Sequence, residues 1–446
     1  MNLRSGLFAV ATGAALLAGH GVFAQQAAPY RLTLQDAIQK ALQANLGVLL
    51  ASTSVDEAQG TRLRRLSAAL LPRVSAQTYA NYQNRDLRAF GITLPGMPEV
   101  VGPFSNYDFR VYAQQNVVDL QSYRSYKASE QALAAGKLNY QDARDLVVRS
   151  IAALYLDAQS AAARVQAARS RVTDSEALEE LASDKHAAGT ATGVDVLRAQ
   201  VQLANDKQAL LVEQTLYKQA LLVLARNLGM APDTPLELAQ SLVYQPLDES
   251  QPASLISSAL LERADYRSLA AQRQSLVEQQ SANHARRYPK LSLNGNFGGI
   301  GRSVGGVQGT GILQGQIDYT IFDRDRDGEA LELASRVRHV DDQIADLRRG
   351  IDEDIRAALL NLDSAAQQVT VARDGQALAE RELQMTRDRF QAGTANNVEV
   401  VTAQDELARA QENYILAVSN HVDAKFALAR AMGDTEKNIV QFMGNP

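Results

Sequence analysis

No cysteine and no tryptophan occur anywhere in these 446 residues. Without cysteine there is no disulfide framework and no thiol to carry an N-terminal lipid anchor. The five histidines (20, 186, 284, 339 and 421) form no metal-ligand spacing. Serine and aspartate are plentiful, yet none sits in a nucleophile-elbow context. The sequence therefore offers no catalytic residue, cofactor site or metal site. The formal charge of −5 is mildly acidic, which argues against nucleic acid as a partner. Long apolar runs are also missing: after residue 24 none approaches the ~18 residues of a membrane helix.

The N-terminus is the exception. Residues 1–24 carry one early charge, Arg4, an apolar run from Leu7 to Ala18, and the small residues of Val22-Phe23-Ala24. This is the pattern of a secretory signal peptide cleaved before Gln25, and its loss changes the charge from −5 to −6. The mature chain then either stays soluble outside the cytoplasm or crosses a membrane as strands, which need only ~9–11 residues each.

What the sequence does contain, it contains twice. Ala188-Gly189-Thr190-Ala191-Thr192-Gly193-Val194-Asp195 matches Ala392-Gly393-Thr394-Ala395-Asn396-Asn397-Val398-Glu399. The two copies align without a gap from Asp119 against Asp323 to Gly229 against Gly433. Each Gly/Thr turn lies between long, Ala-rich, Pro-free segments and reads as the tip of a helical hairpin. The outward leg of about 65 residues would be roughly 100 Å of continuous helix. Lateral packing of small Ala faces must supply its stability, since Gly136 and many Ser and Asn weaken it as an isolated helix.

Ahead of each hairpin the periodicity is different. A helix capped by Thr33, with Asp36 three residues on, carries Ile38, Ala41, Leu42, Leu46 and Leu49 on one face and runs to about Leu70. Residues 73–85 then alternate, with Val74, Ala76, Thr78, Ala80 and Tyr82 against Ser75, Gln77, Asn81 and Gln83. Residues 107–118 alternate likewise. In the second half a helix from Leu255 to Arg287 precedes alternating runs at 290–300 and 312–322. Period-2 patterning with a charge-free apolar face predicts strand pairs with one greasy and one polar surface. The expected organisation is a signal peptide (1–24), a first repeat (25–229, hairpin 119–229), a Pro-bearing linker (230–254), a second repeat (255–433, hairpin 323–433) and a C-terminal tail (434–446).

Two glycine- or acid-rich stretches invite chemical readings. Asp323-Arg324-Asp325-Arg326-Asp327-Gly328 begins like a calcium loop, but Ala334 stands where the bidentate Glu belongs, so acidic capping of a helix is expected. Gly298 to Gly306 lacks the Lys-Ser/Thr of a phosphate loop and reads as a hairpin connection. Asp195 and Glu399 lie six residues after the two tip glycines, one turn into the returning helices, with Arg198 and Thr402 three residues further on. Helix-dipole capping explains an acidic residue there at ~0.3–1 kcal/mol.

Taken in order, these residues resemble the outer-membrane efflux proteins of Gram-negative bacteria, the TolC family. The resemblance rests on Leu32-Thr33-Leu34-Gln35-Asp36-Ala37-Ile38, Leu71-Pro72-Arg73-Val74, Tyr288-Pro289-Lys290-Leu291, Ile321-Phe322-Asp323, both Ala-Gly-Thr tips and the Leu-Gly and Met-Gly ends. Ala264, Leu46-Gly47 and Thr320 stand where the family often has Pro. The resemblance implies a mainly α fold with a membrane β-barrel: a homotrimer with a 12-stranded barrel in outer-membrane lipid and an α-helical barrel across the periplasm. It further implies docking of the tips around Gly189, Thr190, Gly393 and Thr394 to a periplasmic adaptor and an inner-membrane transporter. Four strands cannot close a membrane barrel, whose smallest examples have ~8, so chains must associate. That arithmetic allows two chains, and three comes from the resemblance.

The resemblance also places pore-constricting acidic residues at the depth of Asp195, Arg198, Glu399 and Thr402. Under threefold symmetry Asp195 and Glu399 would form a ring of six carboxylates, weakened because Thr402 is not acidic. Two functions are weighed: a passive exit duct for drugs, metal ions or polypeptides, and a soluble periplasmic coiled-coil scaffold without a pore. Four strands of about ten residues with charge-free outer faces favour the duct.

Overall fold

The computed structural model describes residues 30–93, 95–247, 252–433 and 435–442; the expected signal peptide lies outside them. Two helices, α1 (Leu34–Ala44) and α2 (Leu46–Leu70), lead into strands β2 (Arg73–Asp86) and β3 (Val100–Val118). The long helix α3 (Leu120–Ala187) and its return α4 (Gly193–Asn227) follow. The same order recurs as α5 (Pro252–Glu262), α6 (Ala264–Ala285), β5 (Lys290–Gly301), β6 (Gln308–Asp318), α7 (Asp325–Gln391) and α8 (Asn397–Met432). Two short strands, β1 (Tyr30–Leu32) and β4 (Leu236–Leu238), pair in parallel, and α9 (Thr435–Phe442) closes the described chain. At 68 residues α3 spans ~100 Å.

The first helix is not continuous as expected. Thr33 caps α1, its hydroxyl accepting from the Asp36 amide at 3.1 Å. Leu34, Ala37, Ile38 and Ala41 form the buried face. Asn45 then turns extended (ψ 125°) and its side chain caps α2 by accepting from the Gly47 amide at 2.8 Å. An Asn that caps the next helix ends the previous one, so Leu46 and Leu49 leave the expected face and are exposed. The second half breaks in the same place, between α5 and α6 at Arg263, again extended (ψ 121°). Its buried guanidinium binds Asp265 at 2.7 Å and Asp354 at 3.1 Å. Both breaks fall beside Leu46 and Ala264, where the resemblance implies that proline is frequent.

Each hairpin returns to its own break. Gly229 and Gly433 end the returning helices with φ of 67° and 86°, a region that favours glycine. A Cβ on Gly433 would lie 2.8 Å from the Arg263 backbone, and one on Gly229 2.5 Å from Ala44. Around these joints lies the main core, built from Leu32, Ile38, Ile151, Leu156, Leu224 and Phe426. Tyr155, fully buried, donates its hydroxyl to the Leu32 carbonyl at 3.0 Å and ties β1 to α3. Neither β1 nor β4 was expected; three residues hold no periodicity of their own.

The sheet runs β2-β3-β5-β6, antiparallel throughout. Its register places Ala76 beside Val111, Val111 beside Phe297 and Phe297 beside Gly311, so the apolar sets share one face. That face is exposed, with Val74, Phe109, Val111, Leu293, Phe297, Leu313 and Ile317 all accessible. Gln77, Asp108, Arg110, Asn294 and Gln316 occupy the other.

Strand limits differ from expectation in three places. β3 begins at Val100 rather than 107, and β6 begins at Gln308 rather than 312, so that Gly298–Gly301, within the expected strand 290–300 but also read as part of a connection, are paired in β5. Glycine suits that pairing, because a Cβ at Gly298 would collide with the Phe109 carbonyl and Arg110 on β3. β6 stops at Asp318 instead of 322, because its partner β5 starts at Lys290, opposite Asp318. Tyr319, Ile321 and Phe322 are left exposed beyond it.

Candidate functional site

The hairpin tips concentrate the residues singled out in the sequence. Gly189 and Gly393 both adopt left-handed backbone, φ 74° and 77°. After them the Thr190 amide donates to the Lys185 carbonyl at 2.8 Å and the Thr394 amide to the Arg389 carbonyl at 2.9 Å. Both threonine hydroxyls donate to the same carbonyls, at 3.0 and 3.1 Å. These are two copies of one turn, fixed by glycine for its φ and threonine for its hydroxyl.

Asp195 and Glu399 close capping boxes at the starts of α4 and α8. The Thr192 amide donates to Asp195 at 3.0 Å while the Asp195 amide donates to the Thr192 hydroxyl at 3.3 Å. The Asn396 amide donates to Glu399 at 3.3 Å, and the Glu399 amide to the Asn396 side chain at 3.0 Å. Bonds from the Thr192 side chain and backbone hold the Asp195 carboxyl below the usual carboxylate range, so it stays ionised. Arg198 approaches Asp195 to 3.9 Å but remains more than half exposed. Thr402 spends its hydroxyl on the Val398 carbonyl at 2.9 Å and touches neither acid in the hydrogen bonds described.

The two tips are joined. Asn397 donates from its side chain to the Asp195 carbonyl at 2.7 Å. Beneath lies a shared core of Leu178, Ala182, Ala199, Leu383, Phe390, Val400 and Leu407. Both acids therefore project from one rigid end of the rod.

Two cations there escaped the sequence reading. Arg389 reaches Glu399 at 3.1 Å. Lys185 donates to the Gln391 carbonyl at 3.0 Å and lies over the Phe390 ring at 5.1 Å. They occupy equivalent places, four residues before each tip glycine, so the repeat alignment carried the signal. The acidic stretch lies at the start of α7 as expected, with Asp325 and Asp327 in its first turn, but its side chains do more than cap. Arg324 takes the cap position without a side-chain cap bond. The carboxylates of Asp323, Asp325 and Glu329 converge on Arg286, the residue that ends α6, Asp325 at 3.1 Å and Glu329 at 2.8 Å.

A family model described as "Outer membrane efflux protein" matches residues 37–230 and 255–434. Among relatives, the probable efflux pump outer membrane protein SepC of Pseudomonas putida is 24% identical over 386 residues, covering 83% of this chain and 77% of its own. The pyoverdine export outer membrane protein OpmQ of Pseudomonas aeruginosa is 24% identical over 417 residues, covering 90% and 85%. Among solved structures, the outer membrane protein VceC of Vibrio cholerae superposes with a TM-score of 0.75 at 19% identity, covering 90% of this chain and 96% of that one. The Campylobacter jejuni CmeC outer membrane channel gives 0.73 at 17% identity, covering 92% and 89%. At such identities the superpositions establish the fold.

Proposed function

Because the chain belongs to the outer membrane efflux protein family, we propose that it is the exit duct of a tripartite efflux or secretion assembly, passing cargo outward without altering it. The observation that carries this reading is the union, in one chain, of a sheet whose charge-free face is exposed and a hairpin rod of ~100 Å. Only lipid gives such a face a favourable surrounding, and only association with further copies closes four strands into a barrel. Residues 25–229 and 255–433 act as two structural repeats, and three copies form the pore. The tips at Gly189, Thr190, Gly393 and Thr394 meet a periplasmic adaptor that links the duct to an inner-membrane transporter.

The narrow end is gated electrostatically by Asp195 and Glu399. Both capping boxes fix their carboxylates at one height, and Asp195 remains ionised, so the ring attracts cations and repels anions. Arg389 offsets Glu399, and Arg198 lies beside Asp195, so the ring is weaker than six free charges. Conductance of purified protein in planar bilayers tests both claims. Asp195→Ala with Glu399→Ala should weaken cation selectivity and block by multivalent cations, while Arg389→Ala should strengthen both. Unchanged selectivity in all variants would leave these residues as helix caps. Failure to form any pore, with the chain recovered in the soluble periplasmic fraction, would support the scaffold instead.

A further inference from the structure

Four helices meet behind the tips, and the space between them is not filled by side chains. α3 supplies Ser175, α4 Gln202 and Asp206, α7 Leu383, and α8 Gln404 and Gln411 to a cavity of about 10 Å³. That is room for a single water-sized particle. Leu407 lines it as well, and with Leu383 it belongs to the core shared by the two hairpins. The polar lining is buried: Asp206 is 8% exposed and Gln404 7%. Asp206 lies ~16 Å along α4 from Asp195, so the cavity is separate from the tip turns.

Asp206 accepts from the Ser175 hydroxyl at 2.5 Å and from the Gln202 side-chain amide at 3.3 Å. It has no ion-pair partner among the described residues. Asp174, also in the lining, is answered by Arg387 at 3.0 Å. Arg171 lines the cavity too and reaches no carboxylate in the ion pairs described. Three aspartates (174, 206 and 405) thus face two arginines (171 and 387), which leaves one negative charge in excess. Gln404, from the other hairpin, brings an amide neither end of which has a hydrogen-bond partner among the described residues. The side-chain oxygen of Gln411 is unanswered in the same way. A buried carboxylate without a counter-charge and a buried amide without partners are both costly. The duplication shows that the fold does not require them. The shift of 204 positions that carries Asp119 onto Asp323 carries Asp206 onto Ala410 and Ser175 onto Ala379. Both alanines pack in the apolar core of the tips, so the second hairpin closes the same place without polar groups. Gln200, the counterpart of Gln404, is exposed and donates to Glu179 at 3.2 Å.

We propose that one alkali-metal cation, sodium or potassium, occupies this cavity, held by the Asp206 carboxylate of the first hairpin and the side-chain oxygens of Gln404 and Gln411 of the second. Carboxylate and amide oxygens are the ligands that a hard cation takes. The excess charge selects a cation over a water, which would answer Gln404 and leave Asp206 uncompensated. One unpaired carboxylate among neutral oxygens suits a single charge, whereas sites for divalent ions draw on several carboxylates. The ion bridges α4 to α8 within one copy of the chain, adding to the Asn397 bond that joins the tips. No spacing in the sequence announces such a site, because its oxygens come from helices of different repeats.

A cation bound only by the folded protein raises its stability with concentration, and that linkage is the test. Purified full-length protein in detergent is titrated with sodium chloride, and separately with potassium chloride, against choline chloride at constant ionic strength. The thermal midpoint should rise with each tenfold increase in at least one of the two metals. Asp206→Asn keeps the shape of the side chain and should lose that rise. Gln404→Leu, which puts apolar atoms in the cavity, should lose it too without lowering the midpoint in choline. Asp195→Ala with Glu399→Ala should keep the rise, since the tip carboxylates lie outside the cavity. A midpoint that is the same in all three salts would overturn the proposal and leave the cavity to a water. A rise that survives both Asp206→Asn and Gln404→Leu, or that vanishes with the tip carboxylates, would place the ion elsewhere and overturn it as well. Should Asp206→Asn fail to fold, Gln404→Leu decides by the same readout.

Discussion

Val111 and Gln316 lie in one sheet on opposite faces, so the proposed duct assigns the first to lipid and the second to the lumen. An arginine at the bilayer midplane costs ~2–4 kcal/mol on a lipid-facing position and little on a lumen-facing one. Val111→Arg should therefore deplete assembled protein in outer-membrane fractions, while Gln316→Arg should leave its amount near that of the unaltered chain. Equal depletion would reverse or abolish the facing assignment. A second residue-scale expectation concerns His421, which is fully buried against Tyr244 (ring centroids 4.8 Å apart) one turn before Lys425. Burial first, and the neighbouring ammonium second, pull His421 down to about 4 from an ordinary 6.5. The folded value lies below the unfolded one. Between pH 6.5 and 4 the unfolded chain thus takes up a proton that the folded one refuses, and stability falls as pH drops through that window, by about 3 kcal/mol at full extent. Burial likewise brings Lys425 down to about 8, but that group is charged in both states below this pH and adds no slope there. Replacing His421 by Leu should narrow the drop in thermal midpoint between pH 7 and pH 4; an identical drop would show that His421 is not its source.

Among the elements, the hairpins were the most legible part of the sequence. Their tips repeat the same Gly-Thr pair, and both turns depend on local bonds within six residues. The strand faces were legible for the same reason, since alternation is local. The helix breaks at Asn45 and Arg263 were not, because neither carries proline or glycine at the break, and Arg263, besides its neighbour Asp265, binds Asp354, 91 residues away. The acidic start of α7 stands where it was expected, at a helix N-terminus, but the partner of Asp323 and Asp325, Arg286 at the end of α6, was out of reach of any local reading. Gly393 and Gly433 allow the local and the long-range contributions to be measured apart. Both have left-handed backbone, which costs an alanine roughly 1–2 kcal/mol. Gly393 has open space around it, whereas a Cβ on Gly433 strikes the Arg263 backbone. Gly433→Ala should lower the thermal midpoint distinctly more than Gly393→Ala. Equal losses would mean that the returning helix does not dock on the break between α5 and α6.

For the whole molecule, connectivity fixes an orientation. α2 leads into β2, β3 runs out into α3, α6 leads into β5, and β6 runs out toward α7. All four helices therefore meet the sheet at one end, and the β2–β3 and β5–β6 connections lie at the other. No described helix is long and apolar enough to cross a membrane, and because all four helices leave the sheet at one end the rod extends to one side of it. On the reading of the chain as the exit duct proposed above, the rod lies in the periplasm and the strand connections lie outside the cell. Met97 and Gly305 are exposed in those connections, and a Cβ at Gly305 would meet nothing within 4 Å. Epitopes inserted at Met97 or Gly305 should bind antibody on intact cells. Epitopes at Thr192 or Asn396, ~100 Å down the hairpins, should bind only after the outer membrane is permeabilised. The converse pattern would place the rod outside and the connections within, which no adaptor-linked duct could use. Access at all four sites on intact cells would mean that the sheet is not embedded at all.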